Sequence, residues 1–304
     1  MNKFAIALGG GGARGLAHIG FLKILDQNKI KIDAISGCSM GAIVGGLYSY
    51  FGNAEAVEEF IINTIKSEKY KELGIDNLAK RKTDNSVKYF EQFLDFIGTS
   101  IQVIKAINKT SYFDETVTNE IFDFIPDVPV ENLKIKFFAV ASDLLSGEEI
   151  IFSTGSLRKA LQASSAIPGI FPPVKYKNYL LVDGSVTNLV PVKILKSSGY
   201  EKVLAIDVVK KLENRNPPKN IFEILYRVES ISSYHLSMSQ LTDADLLINP
   251  EVRQYNWTDF NFAREIILEG EKAALENLDS ITKLYKYNVQ LLRIKKFINR
   301  FRKK

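Results

Sequence analysis

Ser39 sits in the pentapeptide Gly37-Cys38-Ser39-Met40-Gly41, a G-x-S-x-G pattern. A β-rich run, Ile32 to Ile35, precedes it, and a helical pattern from Met40 to Phe51 follows. A serine on a sharp strand-to-helix turn presents its hydroxyl at a helix N-terminus, and glycines flank it because a Cβ would clash there. Such a serine is placed to be a nucleophile; the plain alternative is one that only caps a helix. A second glycine cluster, Gly9 to Gly12 with Arg14 and Gly15, offers unhindered N–H groups at another helix start and suits an anionic group. Three anions compete for it. A phosphate loop would need Gly-Lys-Ser/Thr, and Ala13, Arg14 and Gly15 stand there instead. A dinucleotide would suit Gly10, Gly12 and Gly15, with Asp33 near the distance for a ribose contact, but Asp33 opens the second strand where that acid should end it. The oxyanion of a tetrahedral intermediate is the third, and a nucleophile one βα-unit later favours it.

A serine hydroxyl needs a base. Ser39, Asp183 and His235 have the order of a hydrolase triad, yet His235 lies in a helical segment, Ile221 to Leu241, without a loop signal. His18, one turn after Arg14, reads as a packed, hydrogen-bonded histidine. Asp183 ends the β-run Tyr179 to Val182 and precedes Gly184. A carboxylate there takes the serine proton directly if held within hydrogen-bond reach; otherwise it is an ordinary turn aspartate.

These residues need a scaffold. Phe4 to Leu8 reads as a strand, Ala13 to Asn28 as a helix, and the two units through Phe51 form βαβα, the signature of a parallel sheet. From Ala54 to about Ile125 the pattern is helical, including a segment, Val87 to Ile107, that is apolar almost all round and reads as buried core or as a cap over a greasy pocket. Strands return at Ile135 to Ala141, Glu149 to Phe152, Tyr179 to Val182 and Val203 to Val208, with a helix from Ser156 to Ser165. Pro168, Pro172 and Pro173 bar helix from Ala166 to Val174. A polar stretch with Pro217 and Pro218 leads into a mostly helical last third.

The 304 residues are 46% apolar and 25% charged, which excludes a disordered or collagen-like chain. One cysteine and two histidines exclude an internal disulfide and a His-rich metal site. No secretion signal is read at the start, since the first apolar run is short and meets four glycines. The uncharged window from Ala34 to Ala54 is long enough to suggest a membrane helix, but strand, turn and helix explain it better. Ser280 to Lys304 carries nine Lys or Arg and no acid, so the net charge of +5 belongs to this tail and the remainder is net acidic. Its apolar and basic residues interleave as in a basic amphipathic helix, which suits an anionic membrane surface or a solvated helix packed on the body. Nucleic acid as a partner would rest on charge alone and is not expected.

With these motifs assembled, the chain resembles the patatin-like phospholipases over roughly Lys3 to Val209. Gly9 to Gly12 with Arg14 looks like the family's oxyanion loop, Ser39 aligns with its nucleophile, and Asp183-Gly184 aligns with the acid of a Ser-Asp dyad. Asn188, Pro191 and the stretch Ser164 to Pro173 are similar too; Ser185 stands where a second glycine is common. The resemblance implies a three-layer α/β/α fold around a mainly parallel sheet. Residues 1–210 would form the hydrolase domain with a helical insertion near 54–125, and residues 211–304 a helical extension. It further implies calcium-independent hydrolysis of phospholipid or lysophospholipid esters by Ser39 and Asp183, with Gly10, Gly11, Gly12 and Arg14 at the oxyanion, Gly37 and Gly41 in the elbow, and no cofactor or metal. The expected location is cytoplasmic, at most peripheral on the membrane's inner face. A soluble esterase or thioesterase, or a non-catalytic regulatory protein keeping the fold, are the alternatives.

Overall fold

A computed structural model of the chain describes residues 3–72, 110–209, 212, 217–218 and 221–286. The expected segment Val87 to Ile107 and the tail beyond residue 286 lie outside them. The strands are β1 Phe4–Leu8, β2 Ala34–Cys38, β3 Lys136–Asp143, β4 Glu149–Phe152, β5 Val174–Tyr176, β6 Tyr179–Asp183, β7 Lys202–Ile206 and β8 Leu246–Ile248. They form one sheet in the order β5-β6-β3-β2-β1-β7-β8, with β4 also beside β3. From β3 to β8 the pairing is parallel; β4, β6 and β5 add antiparallel strands at one end.

The parallel strands are covered on both faces, and β1 shows how five residues achieve this. Phe4, Ile6 and Leu8 point into one apolar cluster, Ala5 and Ala7 into the other, and all five are buried. The first face carries α1 Ala17–Gln27, α2 Met40–Phe51, α3 Ala54–Lys66, α4 Glu68–Glu72, α5 Glu115–Phe122 and α6 Leu157–Ser164. The second carries α7 Val192–Ser197 and the end of α8 Ile221–Leu241. This is the three-layer arrangement. The window from Ala34 to Ala54 is β2, a turn and α2, and no helix among the described residues is long and apolar enough to cross a membrane.

α9 Ala263–Glu276 lies across α1, and α10 Leu278–Lys286 follows it. A Cβ on Gly20 would strike the carbonyl of Ile267, and one on Gly270 the carbonyl of Ala17, so the two backbones touch where both residues lack side chains. Lys23 closes the crossing with ion pairs to Glu58 at 2.7 Å and Glu271 at 2.6 Å. Gly270→Leu is expected to destabilise the protein by about 3 kcal/mol, the upper end for overpacking, because backbone cannot yield as a side chain does. Urea denaturation checks this.

Candidate active site

Sheet register brings the two chemical groups together. Cys38 pairs with Val140 of β3, and on the other side of β3 Asp183 pairs with Ala141. Ser39, the next residue after Cys38, therefore stands level with Asp183 across one intervening strand, two steps of about 4.8 Å. Ser39 takes φ 52°, ψ −125°, outside the regions that L-residues prefer, and this strain turns the chain sharply into α2. The turn exists because α2 starts against β1: a Cβ on Gly41 would strike the carbonyls of Leu8 and Gly9, and one on Gly37 would strike the start of α2. Ser164 Oγ accepts the Ser39 N–H at 3.0 Å and holds the elbow from the far side.

Asp183 is buried, and its carboxyl lies beside the Ser39 hydroxyl, which favours its charged form. Its Oδ1 accepts the Ser185 N–H at 2.8 Å and faces the Cys38 thiol at 3.6 Å. The Asp183 amide donates to the Ala166 carbonyl at 2.9 Å. Burial pushes the carboxyl above the usual aspartate range; Ser185, the nearby Ser39 hydroxyl and Cys38 offset only part of that. Burial, and then the Asp183 charge, push the Cys38 thiol well up, so it stays protonated.

The glycine loop follows β1. Gly9 N–H donates to Ile206 O at 2.9 Å, Gly10 N–H to Leu189 O at 3.1 Å and Ala13 N–H to Trp257 O at 2.7 Å. The amides of Gly11 and Gly12 make no hydrogen bond with the described residues, so the sequence reading of Gly10 to Gly12 as donors narrows: the Gly10 amide is already engaged. Arg14 is buried and donates from Nε to the Gly11 carbonyl at 3.2 Å. Across a trans peptide the Gly12 N–H points the opposite way, so Arg14 aims that amide. The Arg14 charge also opposes the upward push that burial gives Asp207, at the end of β7.

Neither histidine hydrogen-bonds Ser39 or Asp183. His18 is fully buried, and its ring contacts the Gly9 carbonyl at 2.8 Å; burial lowers its pKa to about 4, so the ring is neutral and donates from Nε2. It is a strut under the loop. His235 is exposed on α8. Asp33 accepts the Phe4 N–H through Oδ2 at 2.7 Å, at the end of β1 opposite the glycine loop, so Asp33 is not beside that loop.

Ser39 and Gly12 open onto a cavity of about 150 Å³. Its walls are Met40, Ile43 and Leu47 of α2, Phe60, Ile61 and Ile65 of α3, Ile121 and Phe122 of α5, and Phe171, Trp257 and Phe260. The segment Val87 to Ile107, read from the sequence as buried core or as a cap over a greasy pocket, lies outside the described residues, and the sequence reading names none of these walls. The signal was present in α3, whose Val57, Phe60, Ile61, Thr64 and Ile65 follow helical spacing directly after the elbow helix.

A family model for patatin-like phospholipases matches residues 6–196. The chain belongs to the patatin-like phospholipase family. It is 32% identical over 211 residues to neuropathy target esterase sws of Drosophila melanogaster, covering 68% of this chain and 13% of that protein. To an uncharacterized NTE family protein of Mycobacterium bovis it is 31% identical over 206 residues, covering 68% and 49%. The chain thus spans half or less of these relatives. VipD from Legionella pneumophila superposes with a TM-score of 0.49 and 16% identity, covering 92% of this chain and 67% of that one. In this patatin-like chain the glycine loop, the elbow and Asp183 all fall inside the matched residues or beside their strands.

Proposed function

We propose that this patatin-like chain is a serine acyl hydrolase that cleaves fatty-acyl esters of phospholipid or lysophospholipid through Ser39 and Asp183. The observation that carries the proposal is the Ser39 hydroxyl beside a buried carboxyl at the mouth of an apolar cavity. A carboxyl raised by burial is a better proton acceptor than an exposed one, which suits a base with no imidazole between it and the serine. Ser39 Oγ bonds the ester carbonyl carbon while its proton passes to Asp183. The carbonyl oxygen, now an oxyanion, takes hydrogen bonds from Gly11 and Gly12. The bond to the alcohol breaks, and Asp183 returns the proton to the departing oxygen. Water then repeats the sequence and frees the acid and Ser39. The cavity walls suit an acyl chain, whose burial is worth about 0.8 kcal/mol per CH₂.

The oxyanion is held by backbone amides, so activity is expected to persist in chelator. The test is fatty-acid release from mixed phosphatidylcholine and phosphatidylglycerol vesicles with chelator present. Release by wild type and none by Ser39→Ala supports the reading. Cleavage of short-chain esters alone would replace it with a soluble esterase, and silence on both, without fluorophosphonate labelling of Ser39, with a regulatory protein. The basic stretch Ser280 to Lys304 supports peripheral attachment to anionic bilayer. Removing Arg293 to Lys304 should then weaken vesicle binding while sparing a soluble ester.

Arg14→Lys keeps a positive charge beside Asp207 but loses the Nε bond to Gly11. Losing one oxyanion donor typically costs about 10²- to 10³-fold in kcat, and a misaimed one is expected to cost at least about tenfold, with KM little changed. Steady-state kinetics on a short-chain ester reads both constants.

A further inference from the structure

We propose that the Ser165 hydroxyl holds the alcohol oxygen as it leaves the ester, and then the water that takes its place. This rests on the Ser39–Asp183 mechanism above. Ser165 follows the last residue of α6, is 6% exposed and borders the same cavity as Ser39. Its Oγ has no hydrogen-bond partner among the described residues. Other hydroxyls of that wall differ: Ser39 lies beside the Asp183 carboxyl, and Thr64 donates to Phe60 O at 2.8 Å. A buried hydroxyl without a partner costs stability, so one carried by a residue that borders an apolar cavity is a donor kept for something that enters it.

Its neighbours say where it stands. Ser164 Oγ accepts the Ser39 amide and the Ala166 carbonyl accepts the Asp183 amide, so Ser165 lies between the residue touching the nucleophile and the one touching the base. Sheet order then separates the two flanks of Ser39. The glycine loop leaves β1 on one side of β2, whereas Asp183 and residues 164–166 lie on the β3 and β6 side. An ester whose carbonyl oxygen turns to Gly11 and Gly12 presents its other oxygen to the Asp183 flank, where the proton must be delivered. In acylation the Ser39 Oγ–carbon bond forms, the carbon–alcohol bond breaks, and the serine proton travels by way of Asp183 to an oxygen that Ser165 steadies by donating to it. In deacylation the water held there gives a proton to Asp183 and bonds the acyl carbon; the Ser39 Oγ–carbon bond breaks and the proton returns to Ser39. Ser165 is unchanged at the end.

The test compares full-length wild type, Ser39→Ala and Ser165→Ala on p-nitrophenyl butyrate, with methanol added so that methyl butyrate and butyrate report which oxygen attacks. Ser165→Ala is expected to lower kcat by about tenfold or more. The methanol-to-water product ratio should change as well, with a Tm no lower than that of wild type, since an unpaired buried hydroxyl is gone. Wild-type kcat and product ratio in Ser165→Ala would overturn the proposal, and so would a loss of activity accompanied by a lower Tm and an unchanged ratio, the mark of a structural residue. If wild type neither cleaves the ester nor is labelled at Ser39 by a fluorophosphonate, the dyad falls first and this role with it. An active wild type, a silent Ser39→Ala and an unaltered Ser165→Ala sink the Ser165 role alone.

Discussion

Asp183→Asn is expected to lower kcat by about 10²- to 10⁴-fold, the contribution of a positioned base, and to do so without lowering stability at neutral pH. Both halves follow from burial. An amide cannot accept the Ser39 proton, and no imidazole stands in hydrogen-bond contact with Asp183 to replace it. On stability, the folded carboxyl titrates above its unfolded value of about 3.9, so between those two points the folded state binds more protons than the unfolded one. Stability from this group is then complete below the unfolded value and is lost as pH rises through the folded one. As pH rises, wild type increasingly carries the cost of ionising a buried carboxyl, and the Asn variant does not. Its side-chain oxygen still accepts from the Ser185 amide. Thermal melts at pH 4 and pH 7 check this: the advantage of the variant should grow with pH. The same raised carboxyl places the acid limb of kcat/KM above the ordinary aspartate range, and that limb should vanish in the variant's residual rate. A destabilised Asn variant at pH 7 would overturn the account of the site as strained by its own base.

Much of this site was legible because its parts are local. G-x-S-x-G between a β-run and a helix specifies a turn whichever strand lies beside it, and β4 runs Glu149–Phe152 as its pattern predicts. The order of βα-units fixed the parallel middle of the sheet. Strand limits shifted where tertiary pairing overrides composition: β2 runs Ala34–Cys38, with Gly37 inside it, because Gly37 pairs with Leu8 and Ala139. The short strands β5 and β8 left no periodic signal in three residues each, and exist through their neighbours' ladders. The meeting of Ser39 with Asp183 across β3 was not readable either, since sequence spacing of 144 residues says nothing about register; it rested on resemblance. Gly10 shows the same limit at one atom. Its type suits an oxyanion loop, but which amide is spent on Leu189 is decided by a segment 179 residues away. Ser164 and the cavity walls likewise act through long-range contacts that no local pattern marks.

The elbow permits a sharper test within one helix. Gly41→Ala is expected to cut activity by more than about 10²-fold, the scale of a displacement near 1 Å at a reacting group. Gly46→Ala, five residues along α2, should leave it near wild type. Both substitutions add one methyl group and favour helix by up to about 1 kcal/mol. They differ in what the methyl group meets. At Gly41 it meets the carbonyls of Leu8 and Gly9, the latter at 2.7 Å, and backbone at the end of a central strand has nowhere to go. Relief requires α2 to back away from β1. That motion carries Ser39 with it, moves the hydroxyl relative to Asp183 and to the Gly11 and Gly12 amides, and loosens the strained φ of Ser39. At Gly46 the methyl group meets Leu157 Cδ1 at 3.1 Å and Leu161 Cδ2 at 3.2 Å, ends of flexible side chains that can shift by a few tenths of an ångström. Fluorophosphonate labelling of Ser39 separates the two effects. Gly41→Ala should label slowly even where circular dichroism shows a folded chain, because nucleophile geometry rather than folding is what that glycine protects. Equal labelling rates for the two variants would mean that the elbow tolerates displacement, and that the close approach of α2 to β1 serves packing alone.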